Sequence, residues 1–463
     1  MPRVAVLGGG IAGCVLAQRL ISSPPANNMQ ALDKVVLFER EWVLGGLHRS
    51  YSIDGMTFDV GTFLFRHDYE IFRIFPRLLP LFVEVESQFG VIREDGRLDA
   101  YPMSLKGIRT SLGWMRMARC GIEILRGKMR YRDKADVARF SQYYLGETLY
   151  SASGLRAYME RLYQVPGDQI TRDFSEKRLA LVAKYGSLRQ VMKKAWRQSV
   201  SMRNPLDDIE PKLQKKVLAR PPDGFDKVYG SIGETLIQSG AELHLGVRIT
   251  SIQREGNKFL LRYRAADSAA GSETEEMFDY IFSTIPLEIL LRLSGQTVEV
   301  TPHYMQLFTL FYSTRGALPV KFNVIHNFME GGAWKRITNF SRYYGRRDGM
   351  EYFSVEGTLG EGVEKDQALL AARQDFEAFC QRSEVFPKEV CFLGGAVTPN
   401  AYPVLDAASI ACSQEMLARI EGFGLFPIGR QGEFDYISSG DVAVKARKAA
   451  DALLLKLTNH TRH

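Results

Sequence analysis

The chain has 463 residues, 45% of them hydrophobic and 24% charged, with 41 Gly and 18 Pro, an ordinary globular composition that excludes a disordered, collagen-like or disulfide-stapled protein. Lys and Arg number 60 against 53 Asp and Glu, a formal charge of +7. That excess is small for so long a chain, whereas a nucleic-acid binder concentrates its charge in a stripe; no nucleic-acid partner is expected, and the sign suits an anionic ligand.

At about 100–200 residues per domain the length predicts two or three domains, with insertions able to hide their boundaries. The five cysteines, at 14, 120, 380, 391 and 412, are an odd number with no CxxC pair, so neither a disulfide framework nor a metal site is indicated and a reducing, cytoplasmic setting is expected. Three glycines interrupt the apolar opening and Arg3 is its only early charge, so it reads as part of the fold rather than as a signal peptide. No window of 18 or more uninterrupted apolar residues follows, so no transmembrane helix is expected.

Residues 3–7, RVAVL, read as a fully buried strand, and 11–21 as a helix with Ala, Leu and Val on one face. Between them stand Gly8, Gly9, Gly10, Ile11, Ala12 and Gly13, a GxGxxG pattern between strand and helix. In that setting the first glycine makes the tight turn, the second admits a pyrophosphate and the third lets helix meet strand. The helix N-terminus adds open N–H groups and a positive dipole end. A second buried strand, KVVLFE at 34–39, ends in Glu39, where a carboxylate can accept the hydroxyls of an adenosine ribose and repel a 2′-phosphate. The surplus chain before it, SSPPANNMQALD, is a surface loop. These features together predict binding of an ADP moiety. Just beyond come Arg40, Gly45, Gly46, Leu47 and Arg49, and the paired glycines let backbone amides approach a diphosphate or a flavin edge.

At this point the sequence resembles the FAD-binding amine oxidase superfamily, which includes protoporphyrinogen oxidase, phytoene desaturase and UDP-galactopyranose mutase. The resemblance continues through FDVGTFLF at 58–65 and through 221–255, where Val247 is implied to contact the adenine side. It extends to FDYIFSTIP at 278–286 and to the closing motif at 424–454, with Gly429, Arg430, Asp441 and Val442. The implied cofactor is FAD. No cysteine lies in the closing motif and Cys412 precedes Gly429 by a long stretch, so attachment is expected to be noncovalent. Asp441 suits the start of the closing helix as a cap. Cys14, on the first helix, is given no chemistry.

The resemblance implies an α/β fold, a Rossmann-type FAD domain interleaved with an α+β substrate domain. The FAD domain is expected from 1–70, 217–286 and 400–463, and the substrate domain from 71–216 and 287–399. The first insert reads as helical in 107–132, 133–146 and 153–164, and the second as strands in MQLFTLFYS, VKFNVIHNF and YFSVEGTLG, a sheet floor facing the flavin. The stretch from Arg116 to Arg132 is basic and amphipathic, which leaves a solvated face, a membrane surface or a lipid-linked substrate open.

Three inner stretches, YPMSLKGI at 101–108, residues 146–179 and GAWKRITNFS at 332–341, are similar to UDP-galactopyranose mutase and its protoporphyrinogen-oxidase-like relatives. By that resemblance Arg336 would serve a substrate diphosphate, a task suited to a guanidinium fork. Two positions depart from the mutases: Phe63 stands where they carry a histidine beside the flavin, and Phe434 with Tyr436 replaces a tyrosine pair. His48 and His67 lie nearby but not at that position. The expected function is therefore an FAD-dependent oxidoreductase that removes hydride from a small-molecule substrate. Phe63, Arg336, Phe434 and Tyr436 are the substrate candidates, and Arg336, Tyr436 and Phe63 the catalytic ones. A sugar mutase without net redox change and a noncatalytic flavoprotein are the alternatives. HExxH, GxSxG and GxxxxGK[ST] are absent, as is a second GxGxxG, so NAD(P)H has no domain of its own. The sequence does not set the oligomeric state.

Overall fold

The computed structural model describes residues 1–22, 32–101, 105–172, 174, 179, 216–267, 273–319, 321–360 and 362–460. Most of the 22–33 loop, and parts of the 101–108 and 146–179 stretches, lie outside these residues.

Among the described residues, five parallel strands form one sheet in the order Phe426–Pro427, Tyr280–Ser283, Arg3–Leu7, Lys34–Phe38, Glu242–His244. Val4, Ala5, Val6 and Leu7 are wholly buried, which is why this central strand is continuously apolar rather than alternating: both of its faces are covered. The helix Ile11–Ile21 packs with the closing helix Ser439–His460. Small side chains at the contact, Ala12 and Ala17 on one helix and Ala443, Ala446 and Ala450 on the other, let the two axes approach. An antiparallel sheet of Val247–Glu255, Lys258–Ala265 and Thr274–Phe278 stands beside this layer.

A seven-stranded mixed sheet runs in the order Cys391–Pro403, Tyr304–Thr314, Glu351–Leu359, Trp334–Asn339, Val324–Asn327, Phe89–Ile92, Leu98–Ala100. Its neighbours pair antiparallel except Val324–Asn327 with Phe89–Ile92, which are parallel. The three strand-like stretches of the second insert all belong to it. The fold is thus α/β, a parallel Rossmann-like sheet with a mixed second sheet.

The first insert is not wholly helical. Its described helices include Leu105–Arg130, Val137–Ala152 and Leu155–Tyr163, but Val83–Glu86, Phe89–Ile92 and Leu98–Ala100 are strands. The last two strands are joined at the Asp95–Gly96 pair between two short apolar runs, a hairpin turn signature; there Gly96 N–H donates to the Arg93 carbonyl at 2.8 Å. The stretch Val137–Ala152 is two helical pieces that meet at a kink at Gly146, whose φ of +73° is not helical, so the helix expected over 133–146 does end there.

A buried ion pair ties the layers together. Arg220 Nε lies 2.9 Å from Asp59 Oδ1, and its other donors reach the carbonyls of Thr57, Pro221 and Pro222 at 2.7–2.8 Å. The guanidinium sits over the Tyr344 ring at 4.8 Å. Each of the three guanidinium nitrogens of this buried charge has an oxygen partner, as burial of a charge requires.

Candidate functional site

The first strand delivers the glycine loop to the sheet's C-terminal edge, where parallel sheets bind their ligands. A Cβ on Gly13 would stand 1.9 Å from the Gly8 carbonyl oxygen, so only glycine lets the helix begin this close to the loop. The helix N-cap, Gly10, offers no side-chain cap, and the first-turn amides stay available to an anion. The second glycine pair meets the first: Gly45 N–H donates to the Gly9 carbonyl at 2.9 Å. Gly46, at φ +57°, would bring a Cβ within 3.0 Å of Gly10 Cα. Two backbones thus approach with no side chains between them, a cradle a diphosphate can enter.

Glu39 closes its adenosine end. Its Oε2 accepts from Gly9 N–H at 2.6 Å and its Oε1 from Glu41 N–H at 2.9 Å, leaving further lone pairs for ribose hydroxyls. Val247 N–H donates to the Glu39 carbonyl at 3.0 Å, which places Val247 on this rim. Arg40 is exposed and pairs with Glu41 at 3.0 Å; Arg49 Nε donates to the Gly46 carbonyl at 3.1 Å. Leu47, between them, is partly buried.

The closing segment comes to the same place. Ile428 N–H donates to the Ser283 carbonyl at 2.8 Å, and a Cβ on Gly429 would stand 3.2 Å from Ala12 Cβ and 3.7 Å from Val442 Cγ1. Ile11, Ala12, Gly429 and Val442 therefore lie at one edge of the cradle. Asp441 is not the first residue of the closing helix, which starts at Ser439. Ser438 Oγ accepts from Asp441 N–H at 3.3 Å, and the Asp441 carboxylate accepts from Ser438 Oγ at 2.6 Å and from its N–H at 3.4 Å. Asp441 is thus the reciprocal partner of a capping box.

His48 links these pieces. Its Nδ1 is 2.8 Å from the Tyr229 hydroxyl and its Nε2 3.0 Å from Ser439 Oγ. It stacks on Phe225 with ring centres 4.9 Å apart and meets Phe63 edge-on at 4.7 Å. Burial, reinforced by Arg430, lowers its pKa to about 3, so it is a neutral strut. Phe63 is part of this aromatic box. His67 lies away from it, 3.3 Å from Glu84.

Against the cradle lies one face of the mixed sheet. Strand register aligns His326 with Arg336, Arg336 with Glu356, and Glu356 with Thr309, a row of neighbours on one face. Thr309 Oγ1 donates to the Val60 carbonyl at 2.8 Å, and Thr62 and Thr338 hydroxyls are 2.5 Å apart, so the segment leading to Phe63 lies on this row. Glu356 is wholly buried; its Oε1 pairs with Arg336 Nη2 and lies 3.6 Å from Lys335 Nζ. A register shift between Trp334 and Arg336 lets Lys335 and Arg336 reach the same carboxylate.

Tyr402 and Tyr436 rings stack at 5.3 Å. Lys335 Nζ lies 4.8 Å from the Tyr402 ring centre and the Arg430 guanidinium 5.4 Å from it. Burial pushes the Tyr402 phenol up, but Lys335, Arg336 and Arg430 outweigh it and Glu356, and the phenol titrates below the ordinary tyrosine value. Burial opposes the charge on Arg336, yet Glu356 raises its pKa further and it stays protonated. Burial, with Arg336 and then Lys335, lowers His326 to about 3. Lys335, Arg336 and Arg430 thus gather around Tyr402, with the Glu356 carboxylate beside the first two. Phe434 is not with them: it sits at φ +50° and packs edge-on against Tyr304 at 5.0 Å in the core. Lys335, Glu356, Tyr402 and His48 escape a linear reading, because a strand irregularity brings Lys335 to Glu356, the fold brings Tyr402 to Lys335, and folding alone brings His48 to Ser439.

Residues 6–78 match the model of the NAD(P)-binding Rossmann-like domain. No curated protein matches the sequence. Among solved structures, the chain is similar to reduced UDP-galactopyranose mutase, with a TM-score of 0.72, 17% identity, and coverage of 98% of this chain and 94% of that one. It is similar to a protein from Exiguobacterium sp. 255-15 described as a protoporphyrinogen oxidase, with a TM-score of 0.69, 19% identity, and coverage of 98% and 99%. A third likeness is a fatty acid isomerase from P. acnes that produces CLA, with a TM-score of 0.60, 15% identity, and coverage of 97% and 98%. At these identities the likeness is one of fold: the chain carries a dinucleotide-binding Rossmann-like domain within the overall fold of these structures.

Proposed function

We propose that this chain is an FAD-dependent oxidoreductase of the amine oxidase and protoporphyrinogen oxidase type, acting on an anionic organic substrate. The observation that carries this reading is the 60–62 segment, tied on one side to the chain after the glycine pair by Val60 N–H to the Arg49 carbonyl and on the other, through Val60 and Thr62, to the sheet face bearing Arg336 and Glu356. The cradle's bare glycine backbones, uncapped helix and Glu39 fit the diphosphate and ribose of FAD. Bound noncovalently there, FAD would supply a two-electron acceptor.

The chain's own residues do the rest. Arg336, held by Glu356, presents a fixed guanidinium to a carboxylate or phosphate, and Lys335 and Arg430 add to the positive potential. Tyr402, its phenol acidified by these cations, can donate a strong hydrogen bond or a proton to bound substrate. Phe63 and Phe225 close the cradle side and exclude water, and Tyr436 offers a stacking wall. With three cations to one carboxylate, an ammonium substrate would be repelled, so within this fold an amine is disfavoured.

A second reading is favoured by Arg336: a mutase-like enzyme binding a nucleotide sugar without net redox change. Phe63, where the mutases place a histidine, argues against it. Anaerobic titration separates the readings. Bleaching of the flavin band by a polycarboxylate or other anionic reductant, and not by amines, is the expected result. Nucleotide-sugar binding that requires prereduced flavin, without bleaching, would replace the oxidoreductase by the mutase. A flavin that answers neither would leave a noncatalytic flavoprotein.

A further inference from the structure

Over its described side chains, from Met115 on, the helix Leu105–Arg130 packs on one side. Gly127 abuts the neighbouring helix, where an added Cβ would stand 2.5 Å from the Gln142 carbonyl, and Glu123 accepts from Thr148 N–H at 2.7 Å. Cys120 is buried on the same side. At about 100° per residue, the opposite side carries Met115, Ile122, Leu125 and Met129, which are 90, 52, 54 and 68% exposed. Three of them recur every seventh residue and so form one line along the helix, with Leu125 beside it. Single exposed apolar residues need no explanation; a continuous line of long ones does.

Arg119, Arg126 and Arg130, all exposed, run along one edge of this line, and Lys128 lies along the other. Pairing with a second copy would bring cations together in either orientation: antiparallel helices would oppose the two arginine rows, and parallel helices would set arginines against Lys128. No helix among the described residues is long and apolar enough to cross a membrane. An apolar line edged by arginines instead has the form of a helix that lies in a lipid headgroup layer.

We propose that this face seats the chain on an anionic membrane surface. Met115, Ile122, Leu125 and Met129 enter the boundary between headgroups and acyl chains, while the arginines meet lipid phosphates. This inference stands on the helix and is independent of the flavin assignment.

The test is sedimentation of the purified full-length chain with phosphatidylcholine vesicles, with and without a fraction of phosphatidylglycerol. Binding is expected to the anionic vesicles, to be weakened by salt, and to fall about fivefold for each of Arg126→Ala and Arg130→Ala. Ile122→Asp with Met129→Asp is expected to abolish it, with circular dichroism and melting temperature retained because both side chains are exposed. Failure of the wild-type chain to sediment, equal binding to neutral vesicles, or unchanged binding by the variants would overturn the proposal. So would a wild-type dimer that these aspartates dissociate without any vesicle binding, which would make the face a contact between copies.

Discussion

Arg220 shows how much one side chain can carry. Its charge is buried with Asp59 at 2.9 Å, so removing either partner strands the other in a low-dielectric interior. Arg220→Met is expected to cost about 3–5 kcal/mol in urea unfolding, and Arg220→Met with Asp59→Leu to cost less than the two single changes summed. Gly13→Ala places a methyl group 1.9 Å from the Gly8 carbonyl; the helix must shift, and a loss of about 1–3 kcal/mol together with weaker dinucleotide retention is expected, read by thermal melting and flavin content. At Tyr402 the sign follows from the surrounding cations: a tyrosinate absorbance step below the ordinary tyrosine range is expected in the wild type, absent in Tyr402→Phe and moved to higher pH in Lys335→Met. The glycines were legible in the sequence because strand, loop and helix follow one another directly. Arg220 and Glu356 were not, because their partners lie far along the chain.

At the scale of elements, His48 binds the segment after the glycine pair to the helices Phe225–Gln238 and Ser439–His460. Its folded pKa is about 3 against an ordinary 6.5, so the unfolded chain takes up the proton first. Stability is therefore level above about pH 6.5 and falls as pH drops toward 3, by about 1.4 kcal/mol per pH unit for this group, and His326 adds a contribution of the same sign. Chemical unfolding at a series of pH values is expected to show this slope, reduced in His48→Gln; an unchanged slope would mean the histidine is already charged in the fold. Element types with strong periodicity were legible in the sequence: the first strand and helix, the helical hairpin and the long strands of the second sheet. The short strands Phe89–Ile92 and Leu98–Ala100 were hidden by their length, whereas the helix end at Gly146 was legible in its glycine.

On the scale of the whole molecule, the small positive excess of the sequence acquires places. Lys335, Arg336 and Arg430 cluster around Tyr402, and Arg119, Arg126 and Arg130 edge an exposed apolar line, so part of the positive charge is gathered at two separate places. The parallel sheet draws its strands from the beginning, middle and end of the chain, an interleaving that motif order could suggest. The packing of that sheet's glycine edge against the Arg336 row was not readable, since it depends on register across four strands. The central claim is that the glycine cradle holds FAD. Its most direct test is to denature the purified protein, or protein first incubated with FAD, and identify and quantify the released cofactor. The account predicts about one FAD per chain, released intact and without a covalent flavin-peptide; protein that carries no flavin and takes up none would contradict it.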